Sequence, residues 1–210
     1  MLPGPIQIYQ CPQCQNFIKQ HSLMSGNTFG AKLYSDGKHV APMLPEYPNL
    51  TKCDSCNHIF WLSKQKQIGD FEYGDDVEDE WQFADDAEFL SIPDYFKALE
   101  TGVAENKEEE IDIRMRLWWT YNDRIRNSEN IFNDANDELR WNDNVNKLLK
   151  ILDLDNDNDK IVAAELHRNL GNFDACREVV NSIENEDVEW VKEKFLNACN
   201  EKNRWVIQMN

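Results

Sequence analysis

The spacing of apolar residues changes between the first 68 residues and the stretch from Ser91 onward. In the first part, short apolar clusters are broken by Gly, Pro and Asn, which is a strand pattern. Thr28–Tyr34 and Lys38–Met43 flank "SDG", and Asp36-Gly37 predicts a tight hairpin turn whose two central residues both reach positive φ. "HIFWL" at 58–62 predicts a further strand. "APMLPEYP", with three prolines, can only be a loop.

From Ser91 the spacing becomes helical. "SIPDYFKALETG" opens on a Ser N-cap candidate with Asp94 three residues on, and it stops at Gly102. Five further helices are expected from apolar faces. The first is marked by Ile111, Met115, Trp118 and Ile125; the second by Trp141, Val145, Leu148, Leu149 and Leu152. Val162, Leu166 and Leu170 mark the next, followed by Phe173, Cys176, Val180 and Ile183. Val188, Val191, Phe195, Ala198 and Cys199 mark the last, and "RWVIQM" alternates weakly, as a closing strand would.

The fold class expected is therefore α+β, a β-rich segment followed by a helical domain. Charge sharpens the boundaries. Residues 1–68 carry six Lys and three acids, whereas residues 69–90 carry ten acids and no Lys or Arg. The division expected is 1–68, an acidic linker or strap over 69–90, and a helical domain over 91–210. In the strap, Phe71, Tyr73, Trp81, Phe83 and Phe89 are expected to pack on one side. A net charge of −17 argues against nucleic acid as the default partner, because phosphate contacts need clustered cations. The amino terminus has neither a basic region nor a long apolar run, so no secretory signal is expected. No window approaches a membrane helix.

The cysteines bring in chemistry. "CPQC" and "KCDSC" supply two Cys-x-x-Cys turns, Cys11/Cys14 and Cys53/Cys56. Each turn delivers two thiolates to one side of an ion, so the pair predicts a structural Zn²⁺ held by four sulfurs in a zinc ribbon. Six cysteines without a signal peptide fit reduced thiols in the cytoplasm. Gly often follows the second Cys of such a turn, where positive φ is useful; here Gln15 and Asn57 stand there. The hairpin and proline loop explain the long interval between the pairs. Three alternatives stay open: thiol redox chemistry at "CPQC", His58 or His21 in place of one thiolate, and a nucleic-acid-binding ribbon. Cys176 and Cys199 lie on apolar helix faces and read as buried small residues.

Other motifs are weaker. "GNTFGAK" has the wrong spacing for a phosphate loop, and "DLDNDNDK" fails the register of a calcium loop. "RMRLWWTYNDRIR" at 114–126 could form a pocket for an anion or an acidic peptide, although Arg pairing with nearby carboxylates around a Trp anchor is favoured. No catalytic motif is found.

"LHRNLGNFDACREVV" places Gly171, Phe173 and Cys176 as the Gly, aromatic and small residue of a tetratricopeptide helix pair. A shift of 34 residues finds no second copy. With "CPQC", "SGNTFGAKLYSDGK" and "KCDSC", the order of parts resembles an uncharacterised bacterial family that joins a double Cys-x-x-Cys zinc ribbon to tetratricopeptide-like helices. The resemblance implies a metal-stapled module attached to a protein-binding helical one. The expected function is a non-catalytic adaptor or assembly factor whose partner is another protein.

Overall fold

The computed structural model describes all 210 residues. In chain order the elements are β1 (Leu2–Pro3), β2 (Ile6–Gln10), β3 (Phe17–Gln20), β4 (Leu23–Ser25), β5 (Lys32–Leu33), β6 (His39–Val40), β7 (Leu50–Lys52), β8 (Ile59–Trp61) and β9 (Gly69–Phe71). They continue with α1 (Asp79–Gln82), β10 (Asp85–Asp86), α2 (Ile92–Glu100), α3 (Lys107–Arg126), α4 (Ala135–Ile151), α5 (Asp157–Asn169), α6 (Phe173–Asn181) and α7 (Glu189–Asn200). Strands dominate the amino-terminal region and helices the remainder, so the class is α+β. No helix is long and apolar enough to cross a membrane.

The chain forms two compact units, residues 1–31 with 40–103 and residues 32–39 with 104–210. Two segments thus group differently from the division read in the sequence. The acidic stretch and α2 join the strands, and the turn at 32–39 joins the helices.

In the first unit, β2 and β3 pair antiparallel at the centre of a four-stranded sheet, order β10-β3-β2-β9. The acidic stretch supplies both edges: β9 runs antiparallel to β2 and β10 parallel to β3. Its middle is a strap fixed by Trp81, which lies so close to Gly69 that a Cβ there would come within 2.1 Å of the ring. Phe71 and Trp81 are half-buried, but Tyr73, Phe83 and Phe89 are exposed, so the aromatics do not share one packed side. Two short strands cannot seat five large rings. β7 and β8 form a second ribbon, and its Thr51 hydroxyl donates to the Glu88 carbonyl at 3.0 Å. Ser91 caps α2 by accepting from the Asp94 amide, as its position predicts.

The long hairpin strands expected over 28–34 and 38–43 shrink to β5 and β6, two residues each. In their turn only Gly37 reaches positive φ, at 78°. The Gly37 amide donates to the Tyr34 carbonyl at 2.9 Å and the Tyr34 amide to the Lys38 carbonyl at 3.0 Å. That is a three-residue loop closed by a left-handed glycine, which spares Asp36 the strained conformation.

In the second unit the turn is buried. Asp36 is fully enclosed, pairs with Arg126 and accepts from Asn122 Nδ2 at 2.8 Å, while its carbonyl accepts from Trp119 Nε1 at 2.9 Å. Ser35 Oγ donates to Glu165 at 2.8 Å. Arg168, itself fully buried, holds Glu165 and donates to the carbonyls of Asn203 and Trp205 at 2.6 and 2.8 Å. The carboxy-terminal residues do not form a strand; they make a single bridge, Gln208 to Tyr34. These ion pairs alter the helix faces. On α3 Trp118 is buried as expected, but with Ile113, Leu117 and Tyr121 in place of Ile111, Met115 and Ile125, and on α5 Leu166 is buried as expected while Ala163, Ala164 and Glu165 displace Val162. The faces predicted for α4, α6 and α7 are buried largely as expected.

Candidate metal centre

Each Cys-x-x-Cys turn folds by the same local rule. The Cys11 amide donates to the Asn16 carbonyl and the Gln15 amide to the Cys11 carbonyl, both at 2.9 Å. In the second turn the Cys53 amide donates to the His58 carbonyl at 2.9 Å and the Asn57 amide to the Cys53 carbonyl at 2.8 Å. Gln15 and Asn57 stand at the residue where the chain must reverse, with φ of 64° and 58°. The left-handed conformation is thus adopted without glycine, and each turn then runs into a strand, β3 or β8.

The two turns bring Cys11, Cys14, Cys53 and Cys56 together, with all four sulfurs within 4.8 Å of one another. Cys11 Sγ lies 3.6 Å from Cys56 Sγ, and Cys14 Sγ lies 3.6 Å from Cys53 Sγ. A tetrahedron of about 2.3 Å metal–sulfur bonds has edges of about 3.8 Å, so four thiolates so placed could coordinate one metal ion. Cys11 and Cys53 are fully buried, packed with Ile18, Phe60 and Leu62, while Cys14 is exposed.

Burial pushes the Cys11 thiol above its ordinary range and pushes Cys53 up to about 12. Cys14 is lowered to about 7, chiefly because the Asn16 amide donates to its sulfur. Neither candidate histidine enters the cluster. His21 sits against Tyr73 Oη at 2.7 Å and Asp86 Oδ1 at 3.0 Å, and His58 stacks on Phe60 with ring centroids 5.9 Å apart.

Beside Cys14 lies a cleft of about 590 Å³, between the first turn and the strap, lined among others by Phe17, Glu80, Phe83 and Asp85. The residue pattern does not mark this cleft, because strap and turn meet through the β3–β10 pairing and through bonds between residues far apart in the chain, Asn16 Nδ2 to Asp85 at 3.1 Å and Lys19 Nζ to the Gln82 carbonyl at 3.2 Å; its one sign in the sequence is the acidic run. The arginines of α3 form no free cationic pocket. Arg114 pairs with Glu110, Arg116 with Asp112, Arg124 with Asp137, and Arg126 with Asp36 and Asp123. Cys176 and Cys199 are buried in one apolar cluster with Val180 and Phe195. In "DLDNDNDK" the first four residues are a loop whose Asn156 caps α5, and the last four open that helix.

Scans of the chain against protein-family models, curated proteins and solved structures return no match.

Proposed function

We propose that this is a non-catalytic zinc protein, an adaptor or assembly factor acting through protein–protein interaction. The carrying observation is the closed set of four sulfurs, Cys11, Cys14, Cys53 and Cys56. Tetrahedral sulfur coordination suits zinc, and four thiolates leave no position for water or substrate, which separates structural from catalytic zinc. Bound there, zinc would supply no reaction; it would cross-link two turns whose strands are too short to hold each other. A reducing compartment, the cytoplasm, keeps such thiols available to metal.

The helical unit supports the adaptor part. Gly171, with φ of 80°, reverses the chain between α5 and α6, and the small Cys176 is fully buried. Close helix approach at a small residue is what a tetratricopeptide-like pair needs. Redox chemistry is disfavoured because the leading thiol, Cys11, is the buried one with its pKa raised, the reverse of an activated nucleophile. Nucleic acid is disfavoured because the unit bearing the cysteines has five Lys and no Arg against fourteen acids.

The test has two arms. Metal analysis of the purified chain is expected to return about one zinc per chain, and a chain purified from reducing cytoplasm without metal would sink the zinc reading. Cross-linking in native lysate is expected to capture a protein, and capture of none by a folded chain would sink the adaptor reading.

A further inference from the structure

The cleft beside Cys14 has the makings of a docking site. Its inner surface includes Phe17 and the buried Ala84, and Phe83 stands on it with 76 % of its surface exposed. That ring is presented from a fixed turn, for the Phe83 amide donates to the Asp79 carbonyl at 2.9 Å and Trp81 is wedged on Gly69. The charged part of the lining is one-sided: beside the neutral Gln15, Asn16 and Ser55 stand Glu80 and Asp85, the latter also accepting from Asn16 Nδ2 at 3.1 Å, and no Lys or Arg is there. A metal held by four thiolates would add about two negative charges at the rim.

An exposed phenyl ring among acids and thiolates complements one kind of group, a cation on an apolar stem. We propose that this cleft receives an arginine or lysine side chain from a basic, partly apolar segment of a partner protein. The stem would lie on Phe83 and Phe17, with the charged head toward Glu80 and Asp85. This rests on the adaptor reading and adds the site and the chemistry of the partner. Phosphate would be repelled at the same place, so a nucleic acid is the wrong occupant.

The probe is a labelled dodecapeptide of alternating Arg and Leu, with alternating Glu and Leu as its charge-reversed twin, titrated by anisotropy into the zinc-loaded full chain. The Arg–Leu peptide is expected to bind and the Glu–Leu peptide not, with affinity falling as salt rises. Phe83→Ser and Glu80→Lys, both at exposed positions, are each expected to weaken binding about tenfold or more. Glu193→Lys on α7, a residue of the other unit that does not line the cleft, makes the same charge change and is expected to leave affinity within about twofold. Absence of Arg–Leu binding, equal binding of the Glu–Leu peptide, unchanged affinity in both cleft variants, or equal loss in Glu193→Lys each overturns the inference. Failure of the adaptor reading is distinguishable, since it appears as no cross-linked protein for the parent. A partner captured equally by parent and by the Phe83→Ser, Glu80→Lys double variant keeps the adaptor and removes the cleft.

Discussion

Gln15 and Asn57 hold the same place in the two cysteine turns, and both adopt a left-handed backbone, with φ of 64° and 58°. A side chain in that conformation costs about 1–2 kcal/mol, less for Asn, whereas Gly adds back about 0.5–1 kcal/mol of unfolded-state entropy. Gln15→Gly is therefore expected to raise the stability of the zinc-loaded protein by about 0.5–1 kcal/mol, and Asn57→Gly by less. Denaturant midpoints check this. A loss in Gln15→Gly would mean that its amide contacts to the Cys11 and Pro12 carbonyls, at 3.3 and 3.4 Å, outweigh the backbone strain.

Cys53 is a fully buried member of the sulfur cluster, so its replacement removes a ligand that none of the other residues in the cluster can supply. Cys53→Ser is expected to lose the metal, and the first unit is expected to unfold ahead of the helical one. Structural zinc contributes on the order of 10 kcal/mol of apparent folding energy, so the effect is large. Metal analysis with hydrogen exchange reads both outcomes; retention of metal with unchanged exchange would refute the ligand assignment.

Metal binding should release protons. Without metal Cys53 sits near 12 and Cys11 is raised, so both carry protons at pH 8, while Cys14, near 7, is mostly thiolate. Zinc must displace the protons on Cys11 and Cys53, so affinity rises with pH and falls as acid is added. Calorimetry in buffers of different ionisation enthalpy is expected to count about two protons or more at pH 8. Release of none would contradict the burial of those two thiols.

Asp36 and Arg126 form an ion pair with side-chain exposures of 0 and 6 %, and removing Asp36 leaves the buried Arg126 only the half-buried Asp123 as ionic partner and takes the acceptor from the buried Asn122 amide. Asp36→Ala is expected to destabilise the helical unit by about 3–5 kcal/mol. The Asp36→Ala, Arg126→Met double variant should recover part of this loss. Urea unfolding followed by tryptophan fluorescence measures the cycle, and additive losses would show that the pair is not coupled.

Strong acid should loosen the start of α4. Burial pushes the Asp137 carboxyl up, but Tyr121, the Asn133 amide and Arg124 outweigh it, and the net shift is downward. A depressed folded-state pKa gives stability that is present above the unfolded value, about 4, and is lost as pH falls through the folded one. Asp137→Asn is expected to lower stability at pH 7 and to flatten its dependence on pH below about 4. An unaltered acid profile would assign the acid sensitivity to other carboxylates.

The parts legible in the sequence are those set by neighbours in the chain. Ser91, Asn106 and Asp134 cap their helices because a short polar side chain reaches the amide three residues on. The faces of α4, α6 and α7 follow apolar spacing. The face of α3 departs from apolar spacing because Arg114 and Asn122, residues that periodicity counts as polar and therefore outward, are buried by pairing with Asn144 and Asp36.

By itself, the sequence determined that four cysteines come in two matched turns, that strands precede helices, and that an acidic stretch lies between. Spacing and local hydrogen bonding suffice for each of these. Only the tertiary structure decided that the acidic stretch supplies both edges of the β2–β3 sheet, and that Asp36 is buried among α3 residues far along the chain. It also decided that Phe83 stands over a cleft beside Cys14. Those placements depend on strand pairing and on buried charges finding partners, and neither leaves a periodic mark on the residues between.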